Sequence, residues 1–321
     1  MDGKNHTLIS MIHLLGFQSP ENLTLLFFFI FLMIYSMTMC ANLLIITLVL
    51  YGRTLHSPMY FFLSQLAVSD ILLATDILPN MLHAILMKGT IISLANCITQ
   101  FFFFGVSETL ESLLLTVMSY DRYLAICKPL YYALIMNDRV CWIMVITSWM
   151  SSILIVLIHT LTISQLQFCG PNVIDHFYCD LDPILQLSCS DTTAVQLEVT
   201  LLSALFVVVP FFIIIISYVY IIVTIFEISS ITERKKAFST CSSHLAIVSI
   251  YYGTLVCVYL VASRGQLWNI GKFPSLLYTV FIPLLNPMIY SLRNKDLKKV
   301  LGKLISNSLN MQRNRRVQRK C

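Results

Sequence analysis

Residues 118–132 read MSYDRYLAICKPLYY. They follow a long apolar segment and carry Asp121 and Arg122 side by side at its end. Charge is expensive in lipid, so an ionisable pair at the end of an apolar helix marks function by default. The rest of the chain decides whether lipid is the right solvent. Of its 321 residues, 57% are hydrophobic and 12% are charged. A soluble domain carries roughly twice that charged share. The excess apolar content therefore belongs in a bilayer.

Working outward, apolar runs of about 20 residues, enough to cross a bilayer, can be counted. They fall at Thr24–Tyr51, Pro58–Met87, Asn96–Tyr120, Cys141–Ile163, Val195–Phe226, Ala237–Val261 and Phe273–Leu292. This predicts an all-α membrane protein, a seven-helix bundle with its termini on opposite sides. Lys and Arg set the orientation. Lys4, Lys88, Arg264 and Lys272 fall on one side, and the other 17 of 21 on the opposite side. Arg53, Arg122, Lys128, Arg139, Arg234–Lys236 and everything from Arg293 onward are thus expected in the cytoplasm, with the N-terminus outside. The net charge of +5 comes mostly from the C-terminal tail. That suits anionic inner-leaflet lipid and gives no reason to expect nucleic acid as a partner. No compact apolar run with a cleavage site precedes the first span, which is expected to act as an uncleaved anchor.

The expected organisation is an extracellular tail over 1–23, a membrane domain over 24–292, and a cytoplasmic segment over 293–321. Within the last, Leu297, Val300, Leu301 and Leu304 recur at helical spacing between lysines, the pattern of a short amphipathic helix on a membrane surface. The longest loop, 164–194, holds three cysteines, four Asp residues and no Lys or Arg. Together with Cys97 they make four cysteines on the oxidising side, enough for two disulfides in three connectivities. The loop reads as a pinned lid. Two sequons precede the first span. Asn5 is accessible and expected to be glycosylated; Asn22 abuts the membrane and is not.

Helix periodicity then organises the third span. Phe104, Glu108, Glu111, Leu115, Met118 and Arg122 are spaced alternately by four and three, on one helical face. Carboxylates on such a face should point into the bundle. At about 1.5 Å per residue, Glu111 lies about 16 Å from Arg122, near mid-membrane. Asp70 of the second span reaches a similar depth. Two buried carboxylates at one level require a proton or a cation between them. A hydrated monovalent cation such as sodium is the favoured expectation; a protonated pair bonded to Ser, Asn or Tyr groups is the alternative. No other cofactor is expected. Glu108 either meets a ligand's polar group or bonds a neighbouring helix. In the seventh span Pro287 weakens the helix beside Asn286 and Tyr290, a hinge or a packing kink. His244, at the inner end of the sixth span, reads as interhelical glue.

Beside 118–132, the chain contains LHSPMYFFLSQLAVSD at 55–70, Ser217-Tyr218, KAFSTCSSHL at 236–245 and PLLNPMIYSLRN at 283–294. In order and spacing these resemble the signatures of odorant receptors, rhodopsin-like G-protein-coupled receptors of the tetrapod-type class. The departures are small: Ala41 before Asn42 where Gly is usual, Ser119 for Ala, and Lys128 for His. Glu108 lies outside the signature. The resemblance implies disulfides Cys97–Cys179 and Cys169–Cys189. It implies that Asp121 restrains Arg122 at rest, and that Arg122, flanked by Tyr123, turns toward Tyr218, Tyr290 and a stimulatory G protein that raises cyclic AMP. It implies an odorant pocket lined by Phe104, Gly105, Glu108, Thr109, Leu202, Phe206, Tyr252, Val256, Tyr259 and Thr279. A multi-pass plasma-membrane location follows. An enzyme is not expected: HExxH and GxSxG are absent and His244 has no evident His partner. A receptor for a non-odorant small molecule is the nearer alternative. A secondary transporter is remote, since two matching halves are not evident.

Overall fold

The computed structural model describes residues 9–17, 20–52, 55, 57–169, 171–262, 272, 274–293, 297 and 299–302, with backbone only at 259–262 and 291–293. Six helices there are long and apolar enough to cross a membrane, and a shorter apolar helix covers Pro274–Tyr290. In lipid every backbone polar group must be satisfied within the chain, so apolar runs become helices. The elements are α1 (Glu21–Tyr51), α2 (Pro58–Met87), α3 (Leu94–Cys127), a short α4 (Pro129–Ile135), α5 (Asp138–Ser164), α6 (Leu181–Gln186), α7 (Thr193–Ser203), α8 (Val209–Glu227), α9 (Ile231–Ala262) and α10 (Ile282–Arg293).

Local chemistry sets the ends. Pro58 occupies the first turn of α2, where its missing N–H costs nothing. Ser93 Oγ accepts the Asn96 N–H at 3.1 Å to start α3, and Asn137 Oδ1 accepts the Val140 N–H at 3.1 Å to start α5. Lys128 leaves the helical conformation just before Pro129. Helix α3 therefore runs past the expected limit at Tyr120, and Asp121-Arg122 sits inside its last turns instead of at its end.

Two prolines shape the bundle through the bond each cannot make. Pro210 lacks the N–H that would pair with the Phe206 carbonyl one turn back. The chain between α7 and α8 accordingly forms a π-helical turn at Ala204–Val208, and Ser112 Oγ of α3 donates to the Phe206 carbonyl at 3.1 Å. Pro287 likewise frees the Pro283 carbonyl, which accepts from Asn42 Nδ2 of α1 at 2.9 Å. Each proline converts an intrahelical bond into an interhelical one. A second π-helical turn, Leu277–Phe281, precedes α10.

Large apolar side chains cover the outside; Leu25, Phe29, Met33, Trp142, Phe212 and Phe226 are all exposed. A belt of this kind is untenable in water and natural in lipid. At the disulfide-bearing end the N-terminal tail contributes strand β1 (Met11–Leu14). It pairs antiparallel with β2 (Thr90–Ser93) and parallel with β3 (Val173–Ile174). Ile12 and Leu14 face inward onto a second core with Phe101, Phe168 and Ile174. Nearby, His159 Nδ1 and Thr162 Oγ1 of α5 each donate to Glu198 of α7 at 2.8 Å. At the opposite, basic end Leu297 and Val300 are buried in the main core. Val300 lies against Gly52, where an added Cβ would meet its side chain at 3.2 Å. This face of the expected surface helix is thus spent on the bundle; Lys298, Lys303 and Leu304 lie outside the described residues.

Candidate functional site

The inward face of α3 is the axis of the site. Phe104, Glu111, Leu115 and Met118 are buried along it. At its middle Asn286 Nδ2 donates to Asp70 Oδ1 and to Glu111 Oε1, both at 3.0 Å. One neutral amide thereby ties α2, α3 and α10. It supplies donors to two carboxylates but no positive charge. Among the described residues no group of three or more His, Cys, Asp or Glu side chains is placed to hold a metal ion.

One residue and one turn further toward Arg122, α3 is tied to α9 and to the fifth span. Ser112 Oγ spends its proton on the Phe206 carbonyl, so the 3.0 Å contact with Tyr252 makes the tyrosine the donor. His244 is fully buried and bonded at both ring nitrogens. Its Nε2 lies 3.1 Å from the Leu115 carbonyl, which can only accept, so Nε2 carries the proton. Nδ1 then accepts from Tyr218 OH at 2.7 Å. The imidazole is thus the neutral link among α3, α8 and α9.

Toward the basic end Asp121 and Arg122 form no direct ion pair, though the Arg122 charge acts on Asp121. Asp121 Oδ1 instead accepts from Tyr132 OH of α4 at 2.8 Å. Burial, then the Asp121 charge, hold the Tyr132 phenol well above its ordinary range, which keeps it a donor. The reason is geometric: adjacent residues on a helix diverge by about 100°. Asp121 faces α4, and the Arg122 charge is felt both there, at Asp121 and Tyr132, and at Tyr218, Cys241, His244 and Tyr290. Arg122 Nε and Tyr290 OH are buried without a hydrogen-bond partner among the described residues. Tyr123 packs its ring 5.9 Å from Tyr220.

At the other end the long loop enters the bundle mouth. Cys179 is joined to Cys97 with Cα atoms 5.5 Å apart, and Cys169 to Cys189 at 5.7 Å. Gln100 bridges two elements, its Oε1 accepting from Cys179 N at 2.9 Å and its Nε2 donating to the Asp76 carbonyl at 3.0 Å. Asp76 itself has Oδ2 buried without a partner among the described residues. Tyr178 packs 5.1 Å from the Phe104 ring, and the Tyr278 ring lies 5.8 Å from it. Tyr178 OH donates to Asp180 Oδ2 at 3.0 Å, so Tyr278 OH donates to Tyr178 OH. Burial raises the Asp180 carboxyl above its ordinary range, while the Leu181 N–H and Tyr178 OH pull it back. Burial, helped by Lys272, pushes His176 down to about 3, so it is neutral in neutral solution.

The conjunction of a seven-helix bundle, this tied α3 face and a disulfide-pinned loop is what a comparison with known proteins can test. Residues 27–308 match the family described as “Olfactory receptor”. The chain is 43% identical to olfactory receptor 1M1 of Mus musculus, over 96% of this chain and 99% of that one. It is 42% identical to olfactory receptor 10A7 of Homo sapiens, over 95% and 97%. The chain belongs to the olfactory receptor family. The receptor's fold is also that of squid rhodopsin, whose crystal structure superposes with a TM-score of 0.68 at 19% identity, over 91% of this chain and 88% of that one. The family is one of receptors, not enzymes.

Within the receptor, the residues expected to line one pocket separate into groups. Phe104 meets Tyr178 and Tyr278, and Tyr252 meets Ser112, as above. Glu108 and Thr109 are half-buried. Thr279 is buried, but its hydroxyl donates to Ser275 O at 2.7 Å. Gly105 faces α5 instead of a ligand: an added Cβ would lie 2.9 Å from Val156. Leu202 and Phe206 pack with Val106, Ile155 and Val156, between α3, α5 and the fifth span. Val256 is 54% exposed and faces outward; Leu255, at 5%, takes the inward place. The side chain of Tyr259, and Asn5, lie outside the described residues. Sequence reasoning missed Ser112, Tyr178, Asp180 and Tyr278. Ser112 alone left a signal, since it shares the inward phase of Glu108 and Leu115.

Proposed function

We propose that the receptor binds a small, mostly apolar odorant within the bundle beneath the long loop, and activates a stimulatory heterotrimeric G protein that raises cyclic AMP. The observation that carries this reading is the pair of ties on α3: Ser112 with Tyr252 and Phe206, and Leu115 with His244 and Tyr218. Both join α3, the fifth span and α9, and both lie between Phe104 and Arg122. A ligand that displaces Tyr252 therefore acts on the same three helices that hold Arg122. Such a ligand shifts an existing equilibrium by binding one arrangement more tightly.

In this reading the disulfide end, with tail 1–23 and loop 164–194, is extracellular, and Asn5 is glycosylated while Asn22 is not. The membrane domain spans 24–292, and the basic segment 293–321 meets cytoplasmic lipid. Asp70 and Glu111 have the oxygen donors to hold a hydrated sodium ion, with Asn286 turned onto both. Arg122, Tyr123, Tyr218, His244, Asn286, Pro287 and Tyr290 form the coupling end, and Asp121 acts through Tyr132. The test is a cyclic AMP reporter in cells expressing the full chain with a stimulatory G protein, challenged with a broad odorant panel. A ligand-dependent rise is expected. Solute flux without any dependence on G protein would overturn the reading.

A further inference from the structure

Glu108 is the feature of the α3 face that the ties above leave unused. Its side chain is largely enclosed by protein and keeps part of its surface accessible, one helical turn along α3 from Phe104. Among the described residues no side chain or backbone group bonds it; Tyr251 bonds only its backbone carbonyl, at 3.0 Å. The charges of Asp180 and Glu108 reach each other's surroundings: Asp180 acts on Glu108, and Glu108 on Tyr178 and Tyr278. Three aromatic rings, Phe104, Tyr178 and Tyr278, cluster here; Phe104 is one turn from Glu108 on α3, and Tyr178 OH bonds Asp180.

Among the described residues no cation is offered to this pair. The described lysines at this end are Lys88 and Lys272. Lys88 is paired with Glu21 at the surface. Lys272 donates to Asp175 at 2.5 Å and to the Gly16 carbonyl at 3.0 Å. An enclosed carboxylate without a partner leaves a desolvation cost that a ligand of the right charge removes. Aromatic rings supply negative faces to a cation, as in cages that hold ammonium groups. A carboxylic acid ligand would add a third acid beside Glu108 and Asp180 and bring no counter-charge to either.

We infer that the receptor's preferred ligands are small aliphatic amines, held as ammonium ions by Glu108 and Asp180 within the ring of Phe104, Tyr178 and Tyr278. The inference rests on the reading that a small ligand binds beneath the loop, and it names that ligand's class. The ammonium parts the Tyr178–Tyr278 contact and takes up the Glu108 carboxylate; the alkyl group stays among apolar side chains. No bond is made or broken, and the proton arrives with the amine.

The test measures binding directly. Purified full-chain receptor is melted with isopentylamine, isopentanol or isovaleric acid, three molecules of nearly one shape. The amine is expected to stabilise the receptor at lower concentration than the alcohol, and the acid least. Glu108→Gln is expected to weaken amine binding about 30-fold or more, the effect of removing one partner of a buried charge pair, and to leave the alcohol unchanged. Equal stabilisation by amine and alcohol, or an undiminished amine preference in Glu108→Gln, overturns the inference. Should Glu108→Gln not fold, Tyr278→Leu serves, with an expected loss of about fivefold for the amine only; no loss overturns it. Cyclic AMP is read in parallel. Amine binding without signalling sinks the G-protein reading alone, and signalling by alcohols with no amine preference sinks the amine inference alone.

Discussion

The two ends of the bundle are built on opposite principles. At the disulfide end, two covalent bridges, a three-stranded sheet, the Lys272–Asp175 pair and stacked rings all restrain the same loop. Removing any one leaves the others. At the basic end Arg122 makes no ion pair among the described residues, Tyr290 OH is unbonded, and single neutral hydrogen bonds join the helices. An over-determined end keeps its shape; an under-determined end has two affordable arrangements. A receptor needs both, since a fixed mouth recognises and a movable base signals.

The largest expected effect breaks the rigid end. Cys97→Ser opens a loop of 82 residues, and chain entropy puts the cost at about 4.5 kcal/mol. Cys169→Ser opens one of 20 residues, at about 3 kcal/mol. Thermal unfolding of purified receptor should rank them in that order, with surface expression following. A reversed order would mean that the sheet, not the bridge, holds the loop.

The pivot between the ends comes next. Asn286→Leu leaves Asp70 and Glu111 buried without their shared donor, for a loss of about 3 kcal/mol in the same melt. A loss well below 1 kcal/mol would show that the ends are coupled by another route.

Acid should soften the rigid end selectively. His176 is held down to about 3 in the fold, against 6.5 when unfolded. The unfolded chain therefore binds the extra proton first, and stability falls as pH drops from about 6.5 toward 3. At pH 5 the cost is about 2 kcal/mol. The melting temperature of the wild type should fall over this range more steeply than that of His176→Gln. Parallel pH curves would place the acid sensitivity elsewhere.

The smallest change sharpens the movable end. His244→Phe removes both bonds that join Leu115 and Tyr218. A loss of about 1.5 kcal/mol from the resting arrangement raises basal cyclic AMP about tenfold, with expression little altered. A drop in basal signal would mean that His244 supports the active arrangement instead.

How much of this could be read without coordinates depends on the solvent. Helix α2 spans the residues that its apolar run predicted, Pro58–Met87, because lipid leaves an apolar run one way to satisfy its backbone. The α3 face was also legible, since Glu108, Glu111 and Arg122 break the apolar background and show which way the helix turns. Val256 was assigned to the wrong face for the converse reason. Leu255 and Val256 are both apolar, so their own side chains do not say which of the two faces the bundle. Gly105 looked like room for a ligand and is room for Val156.

The sequence by itself therefore determined the solvent, the helices, the family and the polar face of α3. All of these follow from local composition and motifs. Tertiary structure decided which groups meet: Tyr132 and not Arg122 at Asp121, Ser112 at the carbonyl that Pro210 leaves free, and a tail strand closing the mouth. Those choices compare partners far apart in the chain, and their outcome depends on geometry that no local pattern encodes.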